Sequence, residues 1–255
     1  MKITLLVAYF TGYIAAEYGL RPYPFYLGIG LAFFGFFASL FLVKDTQQHV
    51  QKESSGNNVK KLNNIFLDTT WKDRNLGSVT QAGLVNNLND GMMWELLPLI
   101  LTAKGFDLEQ IGLVTAAYPA VWGLGQLFTG KMADHFSKKR MLYEGMLLQG
   151  MAILLLHFAS TLMHFVGLAV ALGFGTALVY PTFLATIAEF THPFDRAKSL
   201  CIFRFWRDLG YAIGAILTGL LADMLGLLVP VLVISLLTLL SAAVIVIRTK
   251  EKQAG

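Results

Sequence analysis

Runs of about 20 predominantly apolar residues, each long enough to cross roughly 30 Å of hydrocarbon as a helix, recur along nearly the whole chain. Spans are expected near residues 2–19, 23–43, 78–103, 110–131, 141–159, 163–189, 200–222 and 228–247, eight in all. The expected class is an all-α, multi-pass membrane protein. Composition agrees: of 255 residues 55% are hydrophobic and 14% charged, where a soluble domain carries about a quarter charged.

The net charge of +4 is not a nucleic-acid footprint, because the cations fall in short loops between apolar runs. One set of segments holds Lys2; Lys44, Lys52, Lys60, Lys61, Lys72 and Arg74; Lys131, Lys138, Lys139 and Arg140; Arg196 and Lys198; and Arg248, Lys250 and Lys252. The opposite set holds Arg21 and Lys104. The cation-rich side is cytoplasmic by the positive-inside rule, which places both termini in the cytoplasm. Cys201 lies in an apolar run, so no disulfide framework exists, and no cysteine or histidine cluster has metal-ligand spacing. The run from Ile3 to Tyr13 follows Lys2 like a signal peptide, but no small-residue cleavage site ends it, so it reads as part of a span.

Residues 44–75 form the long connection, and their Gln, Ser, Asn and Lys content describes a solvated cytoplasmic linker. Six spans with short loops follow it. Within them Gly130-Lys-Met-Ala-Asp134 recurs as Gly219-Leu-Leu-Ala-Asp223, about three spans later and on the opposite side of the membrane. An inverted repeat of three plus three helices has this property.

The loop Gly130-Lys-Met-Ala-Asp134-His-Phe-Ser-Lys-Lys139-Arg140 resembles the loop signature between the second and third spans of each half in the major facilitator superfamily. Met132 replaces the family's usual leucine and Ser137 its second glycine, so a less sharply turned loop is expected. The run Val85 to Pro98 is similar to the first span of a C-terminal half, Tyr118 to Gly125 to its second, and Arg204 to Gly214 to its fifth. Leu42-Val-Lys-Asp-Thr46 is similar to the exit from the sixth span of a twelve-span transporter. The resemblance implies that residues 1–43 are the last two spans of an incomplete N-terminal bundle, 44–75 the linker, and 76–255 a complete C-terminal six-helix bundle. It also implies a role for the basic loop, with Gly130, Asp134, Lys139 and Arg140 contacting neighbouring helix ends and stabilising one access state.

Polar groups in mid-membrane are costly unless paired or facing a cavity. On the 78–103 span Asn86 and Asp90 are four apart, Asn87 and Asp90 three apart, and Trp94 follows Asp90 by four, so they share one helical face. Two readings are open. In one the face lines a solute and proton pathway, with Asp90 the protonation site; in the other it makes interhelical hydrogen bonds that fix packing. Glu95 points away from the Asp90 face and is a further candidate for coupling.

Arg204, Arg207 and Asp208, with Tyr211 on the same side, form a second set. Arg204 and Asp208, four apart, can neutralise each other. They serve either as a conformational latch or as residues snorkelling to the interface. Gly210, Gly214 and Gly219 belong to small-x-x-x-small patterns that permit close helix packing. Pro98, Pro119 and Pro181 interrupt span interiors and are expected to kink them. Glu144 and Glu189 stand near span ends.

No phosphate-binding Gly-Lys-Ser/Thr loop, nucleophile elbow or His-Glu-x-x-His helix occurs, so neither ATP-driven transport nor membrane hydrolysis has visible machinery. The expectation is a non-enzymatic secondary transporter of a small-molecule solute, without cofactor or metal. It would be proton-coupled, work by alternating access, reside in the plasma membrane, and favour efflux of an amphipathic or cationic solute over uptake. The alternative is a truncated, non-transporting remnant or membrane binding scaffold, because six spans and two cannot form equal halves around a cavity.

Overall fold

The computed structural model describes residues 22–42, 51, 54 and 61–250; the expected span at 2–19 and residues 44–50, 52, 53 and 55–60 of the expected linker lie outside the described residues. The chain divides into two units, Met1–Lys52 and Glu53–Gly255. In the first, α1 (Tyr23–Leu42) exposes Phe25, Phe33, Phe34, Phe36, Phe37 and Phe41 on one half of its circumference, and leucines with Gly, Ala and Ser residues form the other. A helix apolar all round suits lipid or a protein core rather than water.

The second unit contains α2 (Arg74–Ala103), α3 (Leu108–His135), α4 (Lys138–Leu156), α5 (Leu162–Phe190), α6 (Pro193–Leu225) and α7 (Leu228–Arg248). Each corresponds to an expected span: α2, α3, α4 and α6 begin two to seven residues earlier than expected, α4 ends three residues sooner, and α5 and α7 match to within a residue at each end. Asp73 caps α2 by accepting from the backbone of Asn75 and Leu76, both at 2.9 Å. Asp107 and Gln110 form a reciprocal capping box on α3. Pro193 opens α6 after His192, at the position where a missing N–H costs nothing. Pro98, Pro119 and Pro181 all lie inside helices that continue past them.

The turn between α3 and α4 is sharper than its serine suggests: Phe136 and Ser137 alone separate the helices, both with negative φ. A glycine is not required there, and Ser137 uses its hydroxyl to accept from Arg140 N at 3.2 Å, capping α4. Positive φ falls instead at Gly105 and Gly226, which follow α2 and α6.

Residues 61–73, within the expected solvated linker, instead form an ordered cap on the bundle. A turn at Ile65–Leu67 passes into a π-helical turn at Asp68–Lys72, burying Asp68 and Thr69. Thr69 donates to Ser199 at 3.1 Å, Trp206 Nε1 to Thr70 at 3.0 Å, and Leu62 N to Asp195 at 3.2 Å. The Arg248 guanidinium lies 4.0 Å from the Trp71 ring centroid. The segment is held because its polar groups find partners on the start of α6 and the end of α7.

Six helices form two triplets, α2–α4 and α5–α7. The most extensive contacts run between α2 and α6 and between α3 and α5, so the first helix of each triplet lies along the middle helix of the other. The third helices behave alike: α4 packs on α5, α7 on α2, and α4 on α7. Exchanging the triplets leaves this pairing unchanged, as a two-fold repeat requires. Of the six, α3, α5, α6 and α7 are long and apolar enough to cross a membrane by composition alone. In α2, by contrast, polar residues interrupt the apolar run and are turned inward.

Two apolar clusters fill the bundle. One, around Leu96, Leu101, Phe165, Leu172 and Ile234, occupies one half of its depth. The other, around Leu76, Val79, Met146, Phe183 and Phe203, occupies the half nearer residues 61–73. Between them lies a layer of buried polar side chains: Asn86, Asn87, Asn89, Asp90, Gln149, Thr176 and Thr238. Asn89 clasps three helices there, donating to Gln149 of α4 at 3.0 Å and accepting from Thr238 of α7 at 2.7 Å.

Gly210 and Gly214 bring α6 against α2. A Cβ at Gly210 would stand 2.2 Å from the Leu84 carbonyl oxygen, and one at Gly214 2.7 Å from that of Leu88. Gly219, beyond the crossing, faces open space. Accordingly Gly210→Ala should destabilise the bundle by about 1–3 kcal/mol in a reversible unfolding titration, the usual range for overpacking, whereas Gly219→Ala, in open space within a helix, should not destabilise it. Asn89→Ala should cost about 1–2 kcal/mol, the sum of two hydrogen bonds of membrane strength. Combined with Gln149→Ala it should cost less than the two single losses added together.

Candidate functional site

The polar layer converges on Asp90. Its position on α2 aims it at the neighbouring helices, and it is 3% exposed. Both carboxylate oxygens accept hydrogen bonds from tyrosines: Oδ1 from Tyr118 of α3, and Oδ2 from Tyr211 of α6 at 3.1 Å. Thr176 Oγ1 of α5 stands 3.4 Å from the Tyr118 oxygen. One carboxylate therefore joins α2 to the middle helix of each triplet. Ionised, it has acceptor capacity for both hydroxyls; protonated, it has one acceptor fewer and becomes a donor.

An aromatic ladder leads away from this junction. Trp94 meets Tyr118 edge-on at 6.3 Å, Tyr118 stacks on Trp122 at 6.2 Å, and Trp122 meets Tyr180 edge-on at 5.9 Å. The Arg207 guanidinium closes the series, 5.5 Å from the Tyr180 ring centroid and donating to its hydroxyl at 3.2 Å. The void beside Met93, Trp94 and Tyr118 is about 10 Å³, scarcely enough for one water.

The other expected residues are placed as follows. Asn86 and Asn87 are buried beside Asp90 in sequence and joined to each other at 3.4 Å; neither bonds Asp90. Trp94 is half exposed and Glu95 is exposed. Asp208 pairs with Arg207 at 2.6 Å rather than with Arg204, which is exposed. Tyr180 explains the choice: it pins the Arg207 head group through both ring and hydroxyl.

At the basic loop, Lys138 reaches Glu189 of α5 at 3.2 Å, while Arg140 pairs within its own helix with Glu144 at 2.7 Å. Lys139 has no ion pair among the described residues, and Gly130 faces open space. The side chain of Asp134 lies outside the described ones. Among the described residues no group of three or more His, Cys, Asp or Glu side chains is arranged to hold a metal ion.

Sequence reasoning found Asp90 but passed over Tyr118, Trp122, Thr176 and Tyr180 as site residues, and Asn89 as a clasp. Asn89 could have been found by the same cost argument, since it too is a polar residue inside an apolar span. The tyrosines carried no comparable signal, because an aromatic ring with a hydroxyl is ordinary in an apolar helix.

Residues 79–255 match the family model described as Major Facilitator Superfamily. The chain is 26% identical over 157 residues to the "Uncharacterized MFS-type transporter MJ1560" of Methanocaldococcus jannaschii, covering 62% of this chain and 41% of that protein. It is 35% identical over 85 residues to the "Probable sulfoacetate transporter SauU" of Cupriavidus necator, covering 33% of this chain and 20% of that protein. The matches thus span less than half the length of either relative. With the family model covering more than half of its residues and the whole of its six-helix unit from Val79 onward, the chain belongs to the Major Facilitator Superfamily.

Proposed function

We propose that the chain works as part of a proton-coupled secondary transporter that moves a small organic solute across the plasma membrane by alternating access. Residues 76–255 serve as its C-terminal bundle, with the termini cytoplasmic. The observation that carries this reading is the Asp90 junction, where a mid-membrane carboxylate holds a tyrosine from each triplet. Taking up a proton removes one acceptor site, which loosens α2 from α3 or α6 and gives the bundle two arrangements that a proton gradient can bias.

The Lys138–Glu189 pair and the neighbouring residues Gly130, Asp134, Lys139 and Arg140 would steady one of those arrangements at the cytoplasmic side. The Arg207–Asp208 pair on Tyr180, with Arg204 nearby in sequence, would do so within the bundle. The aromatic ladder from Trp94 to Tyr180 supports an amphipathic solute, for which efflux is the proposed direction. A second reading, uptake of a small organic anion, is favoured by the guanidinium at the ladder's end and by the sulfoacetate in the name of one relative.

In proteoliposomes bearing an imposed pH gradient, Asp90→Asn should abolish gradient-driven flux while leaving exchange at equal pH, because the amide keeps the shape but cannot titrate. Tyr211→Phe should reduce flux without removing its pH dependence. Proton dependence unchanged in Asp90→Asn would exclude this site as the coupling group.

A further inference from the structure

A groove of about 480 Å³ lies where the 61–73 cap meets the start of α6, lined by Ile65, Phe66, Ala197, Lys198, Cys201 and Ile202. It belongs to neither the Asp90 junction nor the basic loop. Its walls are apolar except for the single ammonium of Lys198, which is exposed. Lys198 sits in the second turn of α6, at the end of the bundle that also carries Lys138, Arg140, Arg248 and Lys250.

We propose that this groove holds one acyl chain of an anionic phospholipid from the leaflet on the cation-rich side, with the lipid phosphate on Lys198. Three features lead to a lipid. The walls are apolar apart from one ammonium, and at the membrane boundary apolar surface is better covered by hydrocarbon than by water. The cap beside it leaves Phe66, Leu67 and Trp71 half exposed, next in sequence to Lys72 and Arg74. Such an arrangement is unfavourable in water, but at the headgroup level aromatic rings and cations are both accommodated.

The third feature is charge. Lys61 is held 5.3 Å above the Phe194 ring at the same end of α6. Asp195, three residues before Lys198, accepts from Leu62 N and makes no ion pair with Lys198. Lys198 has no ion pair among the described residues, so its ammonium is available to an external phosphate. The length of its stem lets the head reach the headgroup plane while the stem lies along the groove.

The test is native mass spectrometry of the full chain in detergent, titrated with phosphatidylglycerol and, separately, phosphatidylcholine. The wild type should retain one phosphatidylglycerol in preference to phosphatidylcholine. Lys198→Gln should lower that preference about fivefold, as expected for one surface cation near an anionic lipid. Cys201→Trp, which fills the groove, should remove the adduct, and Lys104→Gln at the opposite end should leave it intact. Equal retention of the two lipids by the wild type, or a preference surviving both Lys198→Gln and Cys201→Trp, would overturn the proposal. So would the absence of any adduct, the result expected if another part of the chain fills the groove.

Discussion

Hydrocarbon offers no hydrogen bonds, so every polar group carried into the membrane must be answered by the protein itself. For the backbone this dictates helices; for side chains it dictates α2. That helix takes Asn86, Asn87, Asn89 and Asp90 into the buried layer between the two apolar clusters. The neighbours of α2 meet that demand at two of the four, α4 and α7 through Asn89, α3 and α6 through Asp90; Asn86 donates to Asn87, and its own Oδ1 is buried without a partner. The glycines at the α2–α6 crossing follow from the same need. Tyr211 lies one residue from Gly210 in sequence, and a backbone approach as close as that at Leu84 brings this part of α6 onto α2.

The two polar junctions divide the work differently. Asn89 is neutral and satisfied on both its amide nitrogen and oxygen, which makes it a fixed tie. Asp90 is ionisable, and in the proposed mechanism a change in its proton count alters the number of hydroxyls it accepts, which would make it a joint that opens. With both in one layer, a single residue apart on one helix, α2 would on this proposal stay anchored to α4 and α7 while its grip on α3 or α6 varies. Tyr118 and Tyr211 stand on the middle helices of the two triplets.

Much of this was legible in the sequence because hydropathy reports directly on helices in lipid. The six spans of the bundle were found, and Asp90 stood out as a rare acid in an apolar run. What escaped depended on distance along the chain. Tyr118 and Tyr211 lie 28 and 121 residues from Asp90, and no local spacing links them to it. The i, i+4 rule offered Arg204 to Asp208, but Tyr180, remote in sequence, had already fixed Arg207 beside it. Gly130 and Gly219 repeat in sequence yet face open space, whereas Gly210 and Gly214 lie at a crossing. The 61–73 segment reads as polar linker because its partners on α6 and α7 are more than a hundred residues away.

The most direct measurement is infrared difference spectroscopy of the protein in lipid across an acid-to-alkaline titration. A carboxylic carbonyl band that appears on acidification, is absent in Asp90→Asn, and changes frequency in both Tyr118→Phe and Tyr211→Phe is the predicted result. A band indifferent to the tyrosines, or no Asp90 band across that titration, would contradict the view that this carboxylate is the joint on which the bundle moves.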